Sequence, residues 1–286
     1  MRYLDPKNDL IFKRVFGDHP HILKSFLNAL MPFENGEYIV SLEYLPHELV
    51  PELPVLKNSI VDVRCKDNFG RSFIVEMQIL WTDSFKSRVL FNASKVYVKQ
   101  LVKTEEYKEL QPVYALSLVN ENFDKNNDEY YHHYKMVHSQ DNKNILDGLQ
   151  LIFIELPKFK SKTFTDKKIH ILWLRYLSEI ENNTKMIHKD LYDIPEISEA
   201  IELTKASAYT PQELESYDKY WDSIRIEKSI RGDALRKGKI EGKIEGKIEG
   251  KIEAALELAK KLKAKLIFTN EEIAELCDLS VDDVDR

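Results

Sequence analysis

The chain has 286 residues, enough for one large domain with an appendage and an ample apolar core. Its 43% hydrophobic and 31% charged content sets the expectation of a soluble globular protein, and no stretch is long and apolar enough to span a bilayer. The net charge of −6 does not advertise nucleic-acid binding, although a local basic groove can supply it on an acidic protein. Cys65 and Cys277 fall in different regions and need not pair, no cysteine–histidine cluster has zinc spacing, and residues 1–9 lack the apolar run of an export signal. A reducing cytoplasm is the expected setting.

Residues 9–30 read as helix. Ile11, Phe12, Val15, Phe16, Ile22, Leu23, Phe26, Leu27 and Leu30 make an apolar stripe interrupted near Gly17–Pro20, with Asn8 or Asp9 as cap. Residues 37–45 are a strand candidate, followed by a loop through Pro46, Pro51 and Pro54. Residues 59–66 and 71–79 are period-2 strands joined by Asn68, Phe69 and Gly70, a three-residue hairpin loop with glycine at the position that needs positive φ. That loop pairs Asp67 with Arg71 and, counting back, Asp62 with Glu76. One face of the hairpin is then apolar, with Val61, Val63, Cys65, Phe73, Val75, Met77 and Ile79. The other carries Asp62, Arg64, Lys66, Ser72, Glu76 and Gln78 around Ile60 and Ile74. A one-residue slip would scramble both faces.

Residues 84–102 are helical, 112–119 form a buried strand, and 131–138 and 149–155 are two more strands. From residue 164 the pattern is helical, over 170–178, 194–206 and a long run from 211 to 265. Inside that run Gly-Lys-Ile-Glu repeats four times over residues 238–253. Thr269 and Glu272 form a capping box for a short helix, and Ser280 starts another.

Two carboxylates opposite each other on a sheet have Cβ atoms roughly 5 Å apart, which destabilises the pair unless something neutralises it. A shared divalent cation does so, and an oxygen-only donor set suits Mg²⁺. The plain alternative is a solvated outer sheet face.

The ordered combination resembles the core of PD-(D/E)xK nucleases, and within them the recombination-promoting nuclease and transposase branch. It is carried by residues 7–16 (KNDLIFKRVF), 60–64 (IVDVR), 74–78 (IVEMQ) and 88–97 (RVLFNASKVY), and the Gly-rich charged run after residue 235 is also typical of that branch. The resemblance implies a restriction-endonuclease-like α/β fold, a central mixed sheet flanked by helices. It further implies hydrolysis of DNA phosphodiester bonds with Mg²⁺ or Mn²⁺. Carried over by residue, Asp62 and Glu76 are the acids of the second and third strands, and Gln78 stands where the pattern has lysine. Neutral glutamine can position a water but cannot neutralise charge. Val61 stands where the pattern has proline. Asp9 is a further metal-ligand candidate at the place where relatives often carry another acid.

Lys13, one turn after Asp9, and Arg88, Asn92, Lys95, Lys99 and Lys103, on one face of the helix after the hairpin, are candidates for contact with a DNA backbone. Among them Lys13, Arg88 and Lys95 are singled out as substrate-binding. A basic cluster at Lys158, Lys160, Lys162, Lys167 and Lys168 could extend the groove. The expected layout is a nuclease core over residues 1–160, a helical extension over 161–235, and a repeat helix with a helical tail over 236–286 that joins copies of the chain. A catalytically silent interaction protein on a degenerate nuclease fold is the alternative function.

Overall fold

The computed structural model describes residues 2–33, 37–49, 59–101, 106–160 and 168–285. The chain forms two compact units, Met1–Ile224 and Arg225–Arg286. Among the described residues no helix is long and apolar enough to cross a membrane.

The first unit is built on a six-stranded mixed sheet in the order β1-β2-β3-β4-β6-β5. The strands are β1 (Leu42–Tyr44), β2 (Val63–Asp67), β3 (Ser72–Gln78), β4 (Val113–Val119), β5 (Tyr131–His138) and β6 (Asp141–Glu155). β1, β2 and β3 are antiparallel neighbours, β3, β4 and β6 run parallel, and β5 closes the far edge antiparallel to β6. The parallel pair β3 and β4 needs a crossover, and helix α3 (Phe85–Val98) supplies it.

The hairpin register follows the turn. Val63 pairs with Val75, Cys65 with Phe73 and Lys66 with Ser72. The same count puts Asp62 level with Glu76, although β2 begins one residue later, at Val63. Gly70 has φ +84°, the conformation that an L side chain resists. Asp67 fixes the rest of the turn. Its Oδ1 accepts the backbone N–H groups of Phe69 and Arg71, both at 2.9 Å, and its Oδ2 receives Nε of Arg71 at 2.7 Å.

Helices cover both sheet faces. Val63, Cys65, Phe73, Val75, Leu116, Leu118, Ile152 and Ile154 pack with the N-terminal helices α1 (Asp9–Phe12) and α2 (Pro20–Leu30). The expected interruption between those helices is a π-helical turn over Lys13–Gly17. On the opposite face Ile74, Val113, Ala115 and Phe153 meet Phe85, Val89, Ala93 and Val96 of α3. Val61, expected on the first face, packs on the α3 side, because the chain leaves regular strand geometry before Val63.

The expected boundary at residue 160 does not separate two packed bodies. Helices α4 (Ile169–Glu179) and α5 (Pro195–Leu203) contribute Leu172, Trp173, Tyr176, Leu177, Ile197 and Ile201 to the same core as the sheet. Tyr217, in the first turns of α6 (Pro211–Lys263), joins them. An amphipathic helix beside a large apolar sheet face is stabilised by burying its stripe there.

Within the second unit, the later turns of α6 pack Ala255, Ala259 and Leu262 against α7 (Asn270–Cys277) and α8 (Val281–Asp285) through Ile273, Ala274, Cys277 and Val284. Thr269 and Glu272 make the expected capping box. The repeat is continuous helix, and Ile240, Ile244, Ile248 and Ile252 are exposed along it.

Candidate functional site

Strand alternation decides which β3 side chains meet α3. Ile74 faces α3, so Glu76 and Gln78 project to the same side. The apolar half of that side is closed by the helix and leaves Glu76 only 6% exposed. This is not the solvated outer face of the plain alternative. Asn92, on α3, donates Nδ2 to Glu76 Oε1 at 3.1 Å, and Nη2 of Arg88 lies 3.8 Å from Glu76 Oε2. Asp62 turns inward at the open end of the hairpin, where its Oδ2 accepts the backbone N–H of Met77 at 2.7 Å. Asp62, Glu76, Gln78, Ser87, Arg88 and Asn92 all line one cavity of about 840 Å³.

Both carboxyl groups are held above the ordinary carboxylate range. For Asp62 burial is the main cause. Asp9 adds to it, while the Met77 N–H, Lys13 and Arg88 oppose it. For Glu76 burial again leads and the charge of Asp62 adds, while Arg88 and the Asn92 hydrogen bond oppose. The two acids therefore repel each other in a setting that already disfavours charge.

That chemistry fits a hard divalent cation, which would neutralise the pair and takes carboxylate oxygen. Among the described residues no group of three or more His, Cys, Asp or Glu side chains is placed to hold a metal ion. Asp62 and Glu76 line the same cavity, and Asp9 is not among its lining residues. Asp9 is instead half-exposed and paired with Lys13 at 2.8 Å. Lys13 lines a smaller depression on the other side of Asp62, together with Arg64 and His47.

Gln78 has both ends of its amide engaged. Nε2 donates to the carbonyl of Leu80, and Oε1 accepts from Nη2 of Arg88 at 2.6 Å. Lys95 bonds at the rim of the cavity rather than to either acid in the contacts described. Its ammonium lies 4.7 Å from the centre of the Phe91 ring and donates to Leu49 O and Ser59 Oγ, each at 3.4 Å. Lys103 lies outside the described residues, as do Lys162 and Lys167.

Lys158 is not a groove residue. Its ammonium binds Glu155 Oε1 at 2.7 Å and the carbonyls of Asp124 and Asn127, while His132 Nε2 meets the same Oε1 at 2.7 Å. Glu155 is fully buried, and its other oxygen accepts the Phe123 N–H at 2.8 Å. This cluster ties the loop after β4 to the end of β6.

Sequence reasoning put Asn92 on a phosphate-tracking face and missed its bond to Glu76. Helical spacing from Arg88 was the available signal, since both residues lie on one side of α3. Tyr220 was missed altogether. Its phenol is pushed well up, by burial first and then by Asp9 and Asp62. A separation of 158 residues from Asp62 leaves no local sequence signal for that proximity.

The family model of PD-(D/E)XK nuclease family transposases matches residues 6–229, a span that contains every residue of this site. The chain belongs to that family. Its open six-stranded mixed sheet, flanked by helices, is the restriction-endonuclease-like α/β fold. A nuclease or transposase type of function, with DNA as the implied substrate, comes with family membership. No curated protein and no solved structure matches the chain.

Proposed function

We propose that this PD-(D/E)XK family member is a divalent-metal-dependent DNA endonuclease that hydrolyses phosphodiester bonds in the Asp62–Glu76 cavity. The observation that carries the reading is the pair itself: buried Glu76 and half-buried Asp62, both held above the ordinary carboxylate range, line one open cavity beside a cation. Asp62 and Glu76 would hold Mg²⁺ or Mn²⁺. When bound, such an ion polarises a phosphodiester and makes a water acidic enough to attack it.

The chain's own groups do the positioning. The Met77 N–H holds Asp62, and Asn92 holds Glu76. Arg88 stands at the mouth with a half-exposed guanidinium suited to a phosphate. Lys13 offers a second cation beyond Asp62.

The C-terminal unit supports a second part of the reading, association of copies through the repeat. A four-residue period drifts about 40° per step on a helix, so the four isoleucines keep one gently winding stripe. Lysine precedes and glutamate follows each isoleucine. Two parallel copies would therefore set lysine against glutamate, and antiparallel copies would set like against like. Each glycine in the repeat costs about 1 kcal/mol of helix stability, which favours a helix that has a partner.

Nicking of supercoiled plasmid in Mg²⁺ or Mn²⁺ tests the chemistry. Asp62→Ala and Glu76→Ala are each expected to abolish nicking with the circular dichroism spectrum unchanged. Full activity in Asp62→Ala overturns the site. A folded wild-type protein that nicks nothing in either metal returns the chain to the silent interaction reading.

A further inference from the structure

Family membership leaves one chemical gap: position 78 carries glutamine, so β3 brings no positive charge to the site. The structure brings one from elsewhere. Gln78 Nε2 is tied to the Leu80 carbonyl, which fixes the amide orientation and directs Oε1 into the cavity. There Oε1 receives Nη2 of Arg88 at 2.6 Å, and the same nitrogen lies 3.8 Å from Oε2 of Glu76. The guanidinium also packs over the Phe85 ring, with Cζ 4.7 Å from its centre. Three neighbours thus fix a side chain that remains 47% exposed to the cavity mouth.

The position of Arg88 on its helix points the same way. It lies in the first turn of α3, where its backbone N–H donates to Ser84 O at 2.9 Å. That turn contains no acidic residue and also carries Lys86. Cations at a helix N-terminus oppose the macrodipole, and each costs some tenths of a kcal/mol. The arrangement is locally unfavourable for the helix and favourable for an anion placed before it.

We infer that Arg88 is the cationic catalytic residue of this site, replacing from α3 the charge that lysine would bring from β3, and that Gln78 is the positioning residue that holds it. The inference rests on the proposed nuclease reading and assigns the charge within it. A guanidinium keeps its charge at every working pH and offers a planar fork of five donors. With one nitrogen on Gln78, the remaining donors of the fork meet the non-bridging oxygens of the scissile phosphate and the negative charge that builds on them. The ammonium of a lysine at 78 and the guanidinium of Arg88 would crowd the same volume.

A charge-relocation cycle tests this: wild type, Arg88→Gln, Gln78→Lys and the double variant. The rate of plasmid nicking is measured at saturating Mg²⁺. Mg²⁺ affinity comes from calorimetry without DNA, and affinity for a short duplex in Ca²⁺ from fluorescence anisotropy. Arg88→Gln is expected to lose about a hundredfold in rate at saturating Mg²⁺, the cost of removing one preorganised charge-stabilising donor, while the variant stays folded and still binds Mg²⁺. Gln78→Lys alone is also expected to fall, through repulsion with Arg88. The double variant should recover to within about tenfold of wild type, because it holds one cation again. In anisotropy, Arg88→Gln should weaken duplex binding and the double variant should restore it.

An Arg88→Gln rate within threefold of wild type overturns the inference. So does a double variant no better than Arg88→Gln when both remain folded and bind Mg²⁺. If Arg88→Gln instead fails to fold or no longer binds Mg²⁺, its loss of rate is that of a structural partner of Glu76 and the inference fails. Should the wild type itself not nick, the nuclease reading fails separately. Anisotropy then still decides whether Arg88 contacts phosphate, and equal binding by wild type and Arg88→Gln rejects it.

Discussion

Neutralising either Asp62 or Glu76 should stabilise the metal-free protein, and only the wild type should gain strongly from Mg²⁺. Asp62→Asn keeps a carbonyl to accept the Met77 N–H, and Glu76→Gln keeps one for Asn92, so both variants remove charge while leaving these hydrogen bonds possible. The sign follows from the pKa direction. Each acid sits above its ordinary value, so the fold disfavours its charged form, and that penalty grows as pH rises through the raised pKa. Two unit charges about 4 Å apart at an effective dielectric near 20 repel by about 4 kcal/mol, which bounds the effect from above. Arg88 at 3.8 Å from Glu76 opposes part of this, and partial protonation caps the remainder. A net gain of about 1–2 kcal/mol per substitution remains, or a rise of about 2–8 °C for a unit of this size. Thermal unfolding at pH 7.5 in EDTA, repeated in 10 mM Mg²⁺, reads both halves. A variant less stable than wild type in EDTA, or one that gains as much from Mg²⁺ as wild type, would refute the argument.

Three other outcomes follow from the same packing. Asn92→Asp puts a third carboxylate against Glu76 at a position 1% exposed, so it should destabilise the metal-free protein by about 2 kcal/mol or more; Mg²⁺ should reverse part of that loss in a melting curve. Lys158→Met strips the ammonium from buried Glu155 and should cost about 3–5 kcal/mol in urea unfolding. Adding Glu155→Gln should recover much of it, and if the double variant is no better, the loss came from the carbonyl contacts instead. Truncation before Gly238 should lower the particle mass measured by light scattering, and an unchanged number of chains per particle removes the repeat from the association reading.

The hairpin was legible because two independent constraints agree. The loop ending in Gly70 sets the pairing count, and the alternation of Val63, Cys65, Phe73 and Val75 allows only that count to bury them together. The lock between Asp67 and Arg71 strengthens the turn but was read only as a pairing position, since any polar residues can flank a loop. Strand limits were less legible. Residues 37–45 alternate like a strand, yet among the described residues only Leu42–Tyr44 pairs as regular strand, on the short edge beside β2. The 160/161 division failed for a different reason. A switch from strands to helices changes the local period but says nothing about which core the helices join, and Trp173 and Tyr217 join the sheet's.

The site divides along the same line. Asp62 and Glu76 are set by a local hairpin, so their meeting could be counted from the chain. Of the groups that tune them, only the Met77 N–H is local to the hairpin; Asn92 and Arg88 arrive across tertiary distance, from α3. A motif scan compares strand positions, and at position 78 it finds an amide where it expects charge. The fold asks only that a cation stand near the acids, and it is indifferent to which element carries it. On the inference drawn above, the short bond from Arg88 to Gln78 marks a charge moved from β3 to α3. Gln78→Lys is thus expected to impair this chain even though it restores the superfamily residue. A gain of activity in that single variant would show that the charge at 78 was missing rather than moved.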